Sequence, residues 1–321
     1  MMKYSEFKEK VIETFKNYMP EEFKDAEVEV RTVNKVNEVL DALALNLKEN
    51  KPYMTPSIYI NDAYRHYQNT GNFSAVMVSM AEKYLEAMDQ SPDEYGNIFF
   101  DAEHAKDRII FQLINTEQNK EMLSEMPHRE FLDLSIIYRY VTGKTEHQTM
   151  SAIITNKLSE HLGFNEEQLF RMASENTKRM FPPEIMKLSD CIKGMFDEIS
   201  MHEDMKSILP EIDGKEIDMY IITNEAKING ATTMLYEEVL REVAEKMESD
   251  LYIMPSSIHE VIAVRALGDP YELVNMVVEI NMNSLELRER LSNQVYVYDR
   301  DLRKTSLATD TPNKRLDGEV L

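Results

Sequence analysis

The residues best placed for chemistry lie where two predicted strands end. One predicted strand runs into Asn224, and the next one ends just ahead of Ser256, Ser257 and His259. If the two strands are parallel neighbours, a right-handed crossover brings both ends to one edge of the sheet. Ligands of such sheets bind at that edge. The four side chains therefore predict a partly open binding pocket.

The same residues allow two other interpretations. A hydrolase would use Ser257 as nucleophile and His259 as base, but the Gly-x-Ser-x-Gly motif is absent from the sequence. A purely structural role would make the serines part of a turn and let Asn224 and His259 cap the ends of elements. Because capping is the commoner use of these residue types at such positions, no catalytic residue is predicted.

Metal, cofactor and nucleotide sites are not predicted. His259-Glu260 begins like the zinc-protease motif, but Ala263 stands where the second histidine belongs. No phosphate-binding glycine loop is present, and the chain has only nine glycines from which to build one.

The charge balance excludes some partners. There are 58 acidic and 36 basic side chains, which gives a formal charge of -22. Direct nucleic-acid binding is not expected, because phosphate neutralisation needs a basic surface. The acids are scattered among lysines, which favours a solubility role. The alternative is an acidic mimic of nucleic acid that inhibits a defence factor through a basic protein partner.

Several absences indicate the compartment. The charged stretch Met1–Lys10 lacks the apolar core of a signal peptide. No run approaches the roughly 20 apolar residues of a membrane span. Cys191 is the single cysteine, so an internal disulfide is impossible. The sequence predicts a cytoplasmic protein without membrane association.

Apolar periodicity predicts an α+β fold made of antiparallel hairpins and a mixed sheet, covered by helices in repeated αββα-like units. The first αββα unit is expected over 1–90, and a loop at 91–96 rich in turn residues and acids follows it. A larger α+β unit is expected over 97–298. The polar segment 299–321 is predicted to be a disordered tail.

Within the larger unit, the spacing predicts a strand over 131–141 with a partner over 150–155, and a helix over 165–181 that two prolines end. A strand over 219–223, a helix with apolar positions from Met234 to Met247, and strands over 251–254 and 261–264 follow.

Several of these segments resemble a family of uncharacterised proteins from gut Firmicutes, a domain of unknown function. The resemblance covers the chain to about residue 300 and lies in Pro127–Leu134, Ala173–Thr177, Tyr220–Asn224, Asn229-Gly230-Ala231 and Pro255-Ser256-Ser257-Ile258-His259-Glu260. It implies no activity. The function expected from the residues themselves is non-catalytic binding of a partner or ligand.

Overall fold

The structure is a computed structural model that describes residues 1–46, 56–89, 102–144, 149–191, 219–255, 257–311 and 314–317. The chain divides into two compact units, residues 1–99 and 100–321. The loop expected at 91–96 lies outside the described residues.

In the first unit, helices cover an antiparallel sheet. Its elements are α1 (Tyr4–Thr14), β1 (Glu27–Lys35), β2 (Glu38–Asn46), β3 (Ile58–Tyr59), α2 (Ile60–Thr70) and α3 (Phe73–Asp89). The strand order is β1-β2-β3. Ile58 pairs with Leu43 and starts the short strand β3, directly before α2.

The apolar stripe of α1 forms part of the core of the first unit. Phe7, Val11 and Phe15, spaced four residues apart, are fully buried. They pack in one cluster with Leu43 and Leu45 of β2. Burial of this stripe stabilises the helix more than its intrinsic propensity does.

The second unit begins with a four-stranded antiparallel sheet and its helices. Its elements are α4 (Ala102–Ala105), β4 (Ile109–Asn115), α5 (Lys120–Leu123), β5 (His128–Phe131), β6 (Leu134–Lys144), β7 (Thr149–Ile153), α6 (Asn156–Leu162) and α7 (Glu166–Met180). Strand β6 is central, with β4 along one edge and β5 and β7 along the other.

The single strand predicted over 131–141 is divided. Leu132 has a φ of 58°, a left-handed conformation that suits a tight hairpin turn and ends β5. Strand β6 then begins at Leu134, which pairs back with Phe131.

A six-stranded sheet completes the second unit. Its elements are β8 (Pro183–Lys187), β9 (Met219–Asn224), a 3₁₀ helix (Gly230–Leu235), α8 (Glu237–Met247), β10 (Leu251–Met254), β11 (Val261–Arg265), α9 (Pro270–Ser284), a second 3₁₀ helix (Leu287–Glu289), β12 (Tyr296–Asp299) and β13 (Lys304–Leu307). The strand order is β13-β12-β10-β11-β9-β8. The predicted α+β class is confirmed.

One detail of the predicted sheet is wrong. The pocket hypothesis assumed that strands β9 and β10 are parallel neighbours, but β11 lies between them and pairs antiparallel with both. The short connection from Met254 to Val261 returns the chain as a hairpin, which needs no crossover. All pairings among the described strands are antiparallel, so the described part contains no mixed sheet. The carboxyl ends of β9 and β10 still point to one edge, since both strands oppose β11.

The disorder predicted for 299–321 is also contradicted within the described residues. Strand β13 pairs with β12 from Tyr296↔Leu307 to Asp299↔Lys304. Beyond it, Thr309 and Leu316 are buried, with 2% and 0% of their surface exposed. This segment is held largely by backbone pairing and hydrogen bonds. Its sequence therefore lacks the apolar periodicity from which a strand or helix is predicted.

A buried carboxylate links the two sheets of the second unit. Asp133 Oδ2 accepts a hydrogen bond from Ser292 Oγ at 2.6 Å, and Oδ1 accepts one from the Tyr296 hydroxyl. Loss of solvation raises the pKa of Asp133 above its ordinary value, although both hydrogen bonds act in the opposite direction.

We expect this carboxyl group to make stability depend on pH. The pKa of Asp133 is higher in the folded state than in the unfolded state. The carboxyl group therefore makes its full contribution to the free energy of unfolding at pH values below the unfolded-state pKa. That contribution is lost as the pH rises through the folded-state pKa. Urea unfolding of the wild type and Asp133→Asn at pH 7 and pH 4 tests this. The unfolding free energy of the wild type minus that of Asp133→Asn should be larger at pH 4 than at pH 7. An unchanged difference, or a move in favour of the variant, would contradict the assignment.

Candidate functional site

The carboxyl end of β9 carries Asn224, one of the sequence-predicted residues. Asn224 is buried, and its amide group closes a small loop: Nδ2 donates to the Ile228 carbonyl oxygen at 2.9 Å, and Oδ1 accepts from Ile228 N at 3.3 Å. Asn224 therefore shapes the loop that follows the strand, which is the capping role.

His259 and Ser257 lie at the same edge and also bond to backbone. Ser257 Oγ accepts from His259 N at 2.9 Å, and His259 Nδ1 accepts from Asn229 N at 3.4 Å. No hydrogen bond joins the Ser257 hydroxyl to the imidazole ring in the described part of the chain, so the two do not form a nucleophile–base pair. Ser256 lies outside the described residues.

Close backbone packing explains the glycine at this edge. A β-carbon on Gly230 would lie closer than 3.0 Å to Thr223 Oγ1 and to the His259 carbonyl oxygen. The Thr223 hydroxyl donates a hydrogen bond to the His259 carbonyl oxygen at 2.7 Å. Gly230 thus lets the 3₁₀ helix start directly against the ends of β9 and β11.

Asn224 and the loop after it form one wall of a polar cavity of about 220 Å³. Ser257 and His259 are not among its lining residues. The cavity has an apolar part made by Ile110, Phe181 and Ile228. Its polar lining comes from both sheets, α7 and the 3₁₀ helix, and consists of Gln112, Arg139, Thr149, Ser151, Thr177, Asn224, Asn229 and Thr232.

The register of the four-stranded sheet places Arg139 in the wall of this cavity. Arg139 on β6 pairs with Ile110 on β4, and Val141, two residues on, pairs with Ser151 on β7. Because side chains two residues apart share a face of a strand, Gln112, Arg139 and Ser151 all project from the same face.

The guanidinium group of Arg139 is bonded only to neutral acceptors. Nε donates to Ser151 Oγ at 2.8 Å, Nη2 to the Ser151 carbonyl oxygen at 2.9 Å, and Nη1 to Gln112 Oε1 at 3.0 Å. No carboxylate of the described residues contacts it. Burial lowers the pKa of Arg139 from its ordinary value, but the side chain remains a cation at neutral pH.

Counting donors shows what the cavity leaves open. A guanidinium group has five N–H bonds, and three are used here, so one N–H remains on each terminal nitrogen. Around it, the Thr149 hydroxyl and the side-chain amide of Asn229 make no hydrogen bond to any described residue. The site can therefore accept further hydrogen-bonding groups beside an uncompensated positive charge.

A second recess, of about 320 Å³, lies on the opposite face of the same sheet, and its cations are neutralised. Arg129 binds Glu166 and Glu167, and Lys178 binds Glu238. Glu166 and Glu167 raise the pKa of Arg129. Both cations of this recess therefore already have carboxylate partners, so neither is available to pair with an anionic ligand. The cavity around Arg139 is therefore the stronger candidate.

Comparison with known proteins identifies the family. A model of a family of unknown function, DUF5688, matches residues 4–300. The chain belongs to this family. The predicted resemblance to a domain of unknown function is thereby confirmed, and the matched range contains both Arg139 and Asn224. No curated protein and no solved structure matches the DUF5688 chain.

Sequence reasoning missed the centre of this DUF5688 site. Ile137, Arg139 and Val141 are two residues apart and therefore share one face of β6. Ile137 and Val141 are buried, so Arg139 is a cation on an otherwise apolar face. A charged residue at an apolar position of a strand was the feature of the sequence that could have indicated this site. Its partners Gln112 and Ser151 lie on other strands, and only the sheet register reveals them.

Among the described residues, no group of three or more histidine, cysteine, aspartate or glutamate side chains could hold a metal ion. No helix in the same residues has the length and apolar character needed to cross a bilayer.

Proposed function

We propose that this DUF5688 chain is a non-catalytic binding protein that holds a small anionic ligand in the polar cavity against Arg139. The observation that carries the proposal is a half-buried guanidinium group that has no carboxylate partner among the described residues and keeps one open N–H on each terminal nitrogen. Buried charges in proteins are normally paired, because an uncompensated one is costly. An anionic ligand would supply the missing partner.

A structural role for Arg139 accounts for only part of its geometry. Its three bonds tie β6 to β4 and β7, which stabilises the sheet. An uncharged donor could bond the same neutral acceptors without the desolvation of a full charge. The charge and the two open N–H groups thus support a ligand-binding role in addition to the structural one.

The absence of catalytic pairs favours binding over catalysis. Among the described residues that line the cavity there is no histidine and no carboxylate to act as a general base. We further propose that the protein works in the cytoplasm and that its acidic surface serves solubility. A basic protein partner remains a secondary proposal that rests on the charge of -22.

We expect Arg139→Gln to abolish anion-dependent stabilisation. The test is thermal unfolding in sodium lactate, succinate, phosphate and sulfate, each against sodium chloride at equal ionic strength. A ligand at ten times its Kd stabilises by about 1.4 kcal/mol, which is roughly 3–6 °C for a unit of this size. The wild type should show such a shift with at least one of these anions, and Arg139→Gln should not.

Arg171→Gln provides the matched control. Arg171 is exposed on α7 of the same unit and does not line the cavity, so its removal changes the net charge equally without touching the site. The proposal fails if none of the anions stabilises the wild type more than chloride does. It also fails if Arg139→Gln keeps the shift seen with Arg171→Gln.

A further inference from the structure

We infer that the ligand is a small monocarboxylate that carries hydroxyl or carbonyl groups, and that it is neither a phosphate compound nor a zwitterionic amino acid. This inference rests on the proposed function, since it names the class of anion held by Arg139. It follows from the charge, the donors and the size of the cavity, taken in turn.

The positive charge of the cavity matches one negative charge. Arg139 is the single cation among the described lining residues. A phosphate monoester carries about -1.5 to -2 at neutral pH, so about a third to a half of its charge would stay uncompensated. A carboxylate carries one charge, and its two oxygens fit two N–H donors on neighbouring nitrogens. Arg139 has two open N–H groups for such a carboxylate, one on each terminal nitrogen.

The same lining disfavours a ligand ammonium group. No aspartate or glutamate of the described chain lines the cavity, so an ammonium would enter without a counter-charge and close to a guanidinium group. Burying such a charge is costly, and the repulsion from Arg139 adds to the cost. An α-amino acid is therefore bound more weakly than the hydroxy acid of the same shape.

The remaining polar groups suit neutral oxygen functions. The Thr149 hydroxyl can donate or accept, and the amides of Asn229 and Gln112 have N–H donors without a described partner. Ile110, Phe181 and Ile228 supply apolar contact for a short carbon skeleton. At about 220 Å³, the cavity is below the roughly 300–1,000 Å³ typical of drug-sized ligands, so the ligand is small.

Four probes of similar size separate these features. L-lactate carries a carboxylate and a hydroxyl, and L-alanine replaces the hydroxyl with an ammonium. Lactamide removes the negative charge, and inorganic phosphate raises it to between about -1 and -2 at neutral pH. Titration of the full-length wild type by isothermal calorimetry or ligand-observed NMR should give lactate at least about tenfold tighter binding than each of the other three, a difference of about 1.4 kcal/mol.

Two variants connect this preference to the cavity. Arg139→Gln should remove the advantage of lactate over lactamide, because that advantage depends on charge. Thr149→Val leaves Arg139 in place and should bring lactate close to propionate, which lacks the hydroxyl. The second variant keeps the test informative if the first one does not fold.

The results distinguish the two proposals. Phosphate or alanine binding as tightly as lactate, with dependence on Arg139, overturns the monocarboxylate inference and leaves the anion-binding function standing. Lactamide binding as tightly as lactate shows that charge is not recognised and overturns both. Absence of Arg139-dependent binding of any anion likewise overturns both.

Discussion

Ending the chain after Tyr298 will lower the melting temperature of the second unit by roughly 6–12 °C, from a loss of about 3 kcal/mol or more. The deletion removes β13 and exposes the edge of β12. It also removes the fully buried Leu316, and emptying one buried leucine site alone costs about 2–5 kcal/mol. Differential scanning calorimetry of the full and shortened chains measures the change.

Two leucines of the same segment provide a matched pair. Leu316→Ala should reproduce a large part of the loss, since that side chain has no exposed surface. Leu302→Ala should shift stability by about 0.5 kcal/mol or less, because Leu302 is 74% exposed. Equal melting temperatures for the full and shortened chains would show that the segment does not pack as described.

Replacing Gly230 by alanine will destabilise the second unit by about 3 kcal/mol or more, the upper end of overpacking costs. Its φ is not in the left-handed region, so the reason is space. The new β-carbon would meet Thr223 Oγ1 and the carbonyl oxygen of His259 at less than 3.0 Å. The carbonyl is backbone and is held by the Thr223 hydroxyl, so the clash cannot be relieved by a side-chain rotation.

Gly163→Ala is the appropriate control for this variant. Gly163 has a φ of 71°, but a β-carbon there would meet nothing within 4 Å. Its substitution should cost about 1–2 kcal/mol, the conformational price of a left-handed L-residue. Denaturant unfolding of both variants separates the two causes. A smaller loss for Gly230→Ala than for Gly163→Ala would contradict the close packing of this edge.

Helices were the most predictable part of this fold, because their apolar stripes are local. The stripe that predicts α8 places Leu240 and Val243 in the core, and they are 1% and 0% exposed. Asn165 caps α7 by accepting from Gln168 N, as its residue type favours.

The sheets and the candidate site were less predictable, because they depend on pairing between distant segments. The strand Lys304–Leu307 has no apolar run of its own, and β12 determines its conformation. Strand β11 lies between β9 and β10 and pairs with both, an arrangement that residue patterns do not reveal. Arg139 gains its meaning from Gln112 and Ser151, which are contributed by two other strands.

The bonds that join Asp133 to Ser292 and Tyr296 have a consequence for the order of folding. They connect residues 159 and 163 positions apart in the chain, and Gln118 accepts from Leu316 N across 198 positions. During synthesis from the N-terminus, these contacts can form only after Tyr296 and Leu316 have left the ribosome. The first unit is complete much earlier, so it folds while the second still awaits its last strands. With so many contacts of long sequence separation, the second unit is expected to fold slowly and to rely on chaperones during that interval.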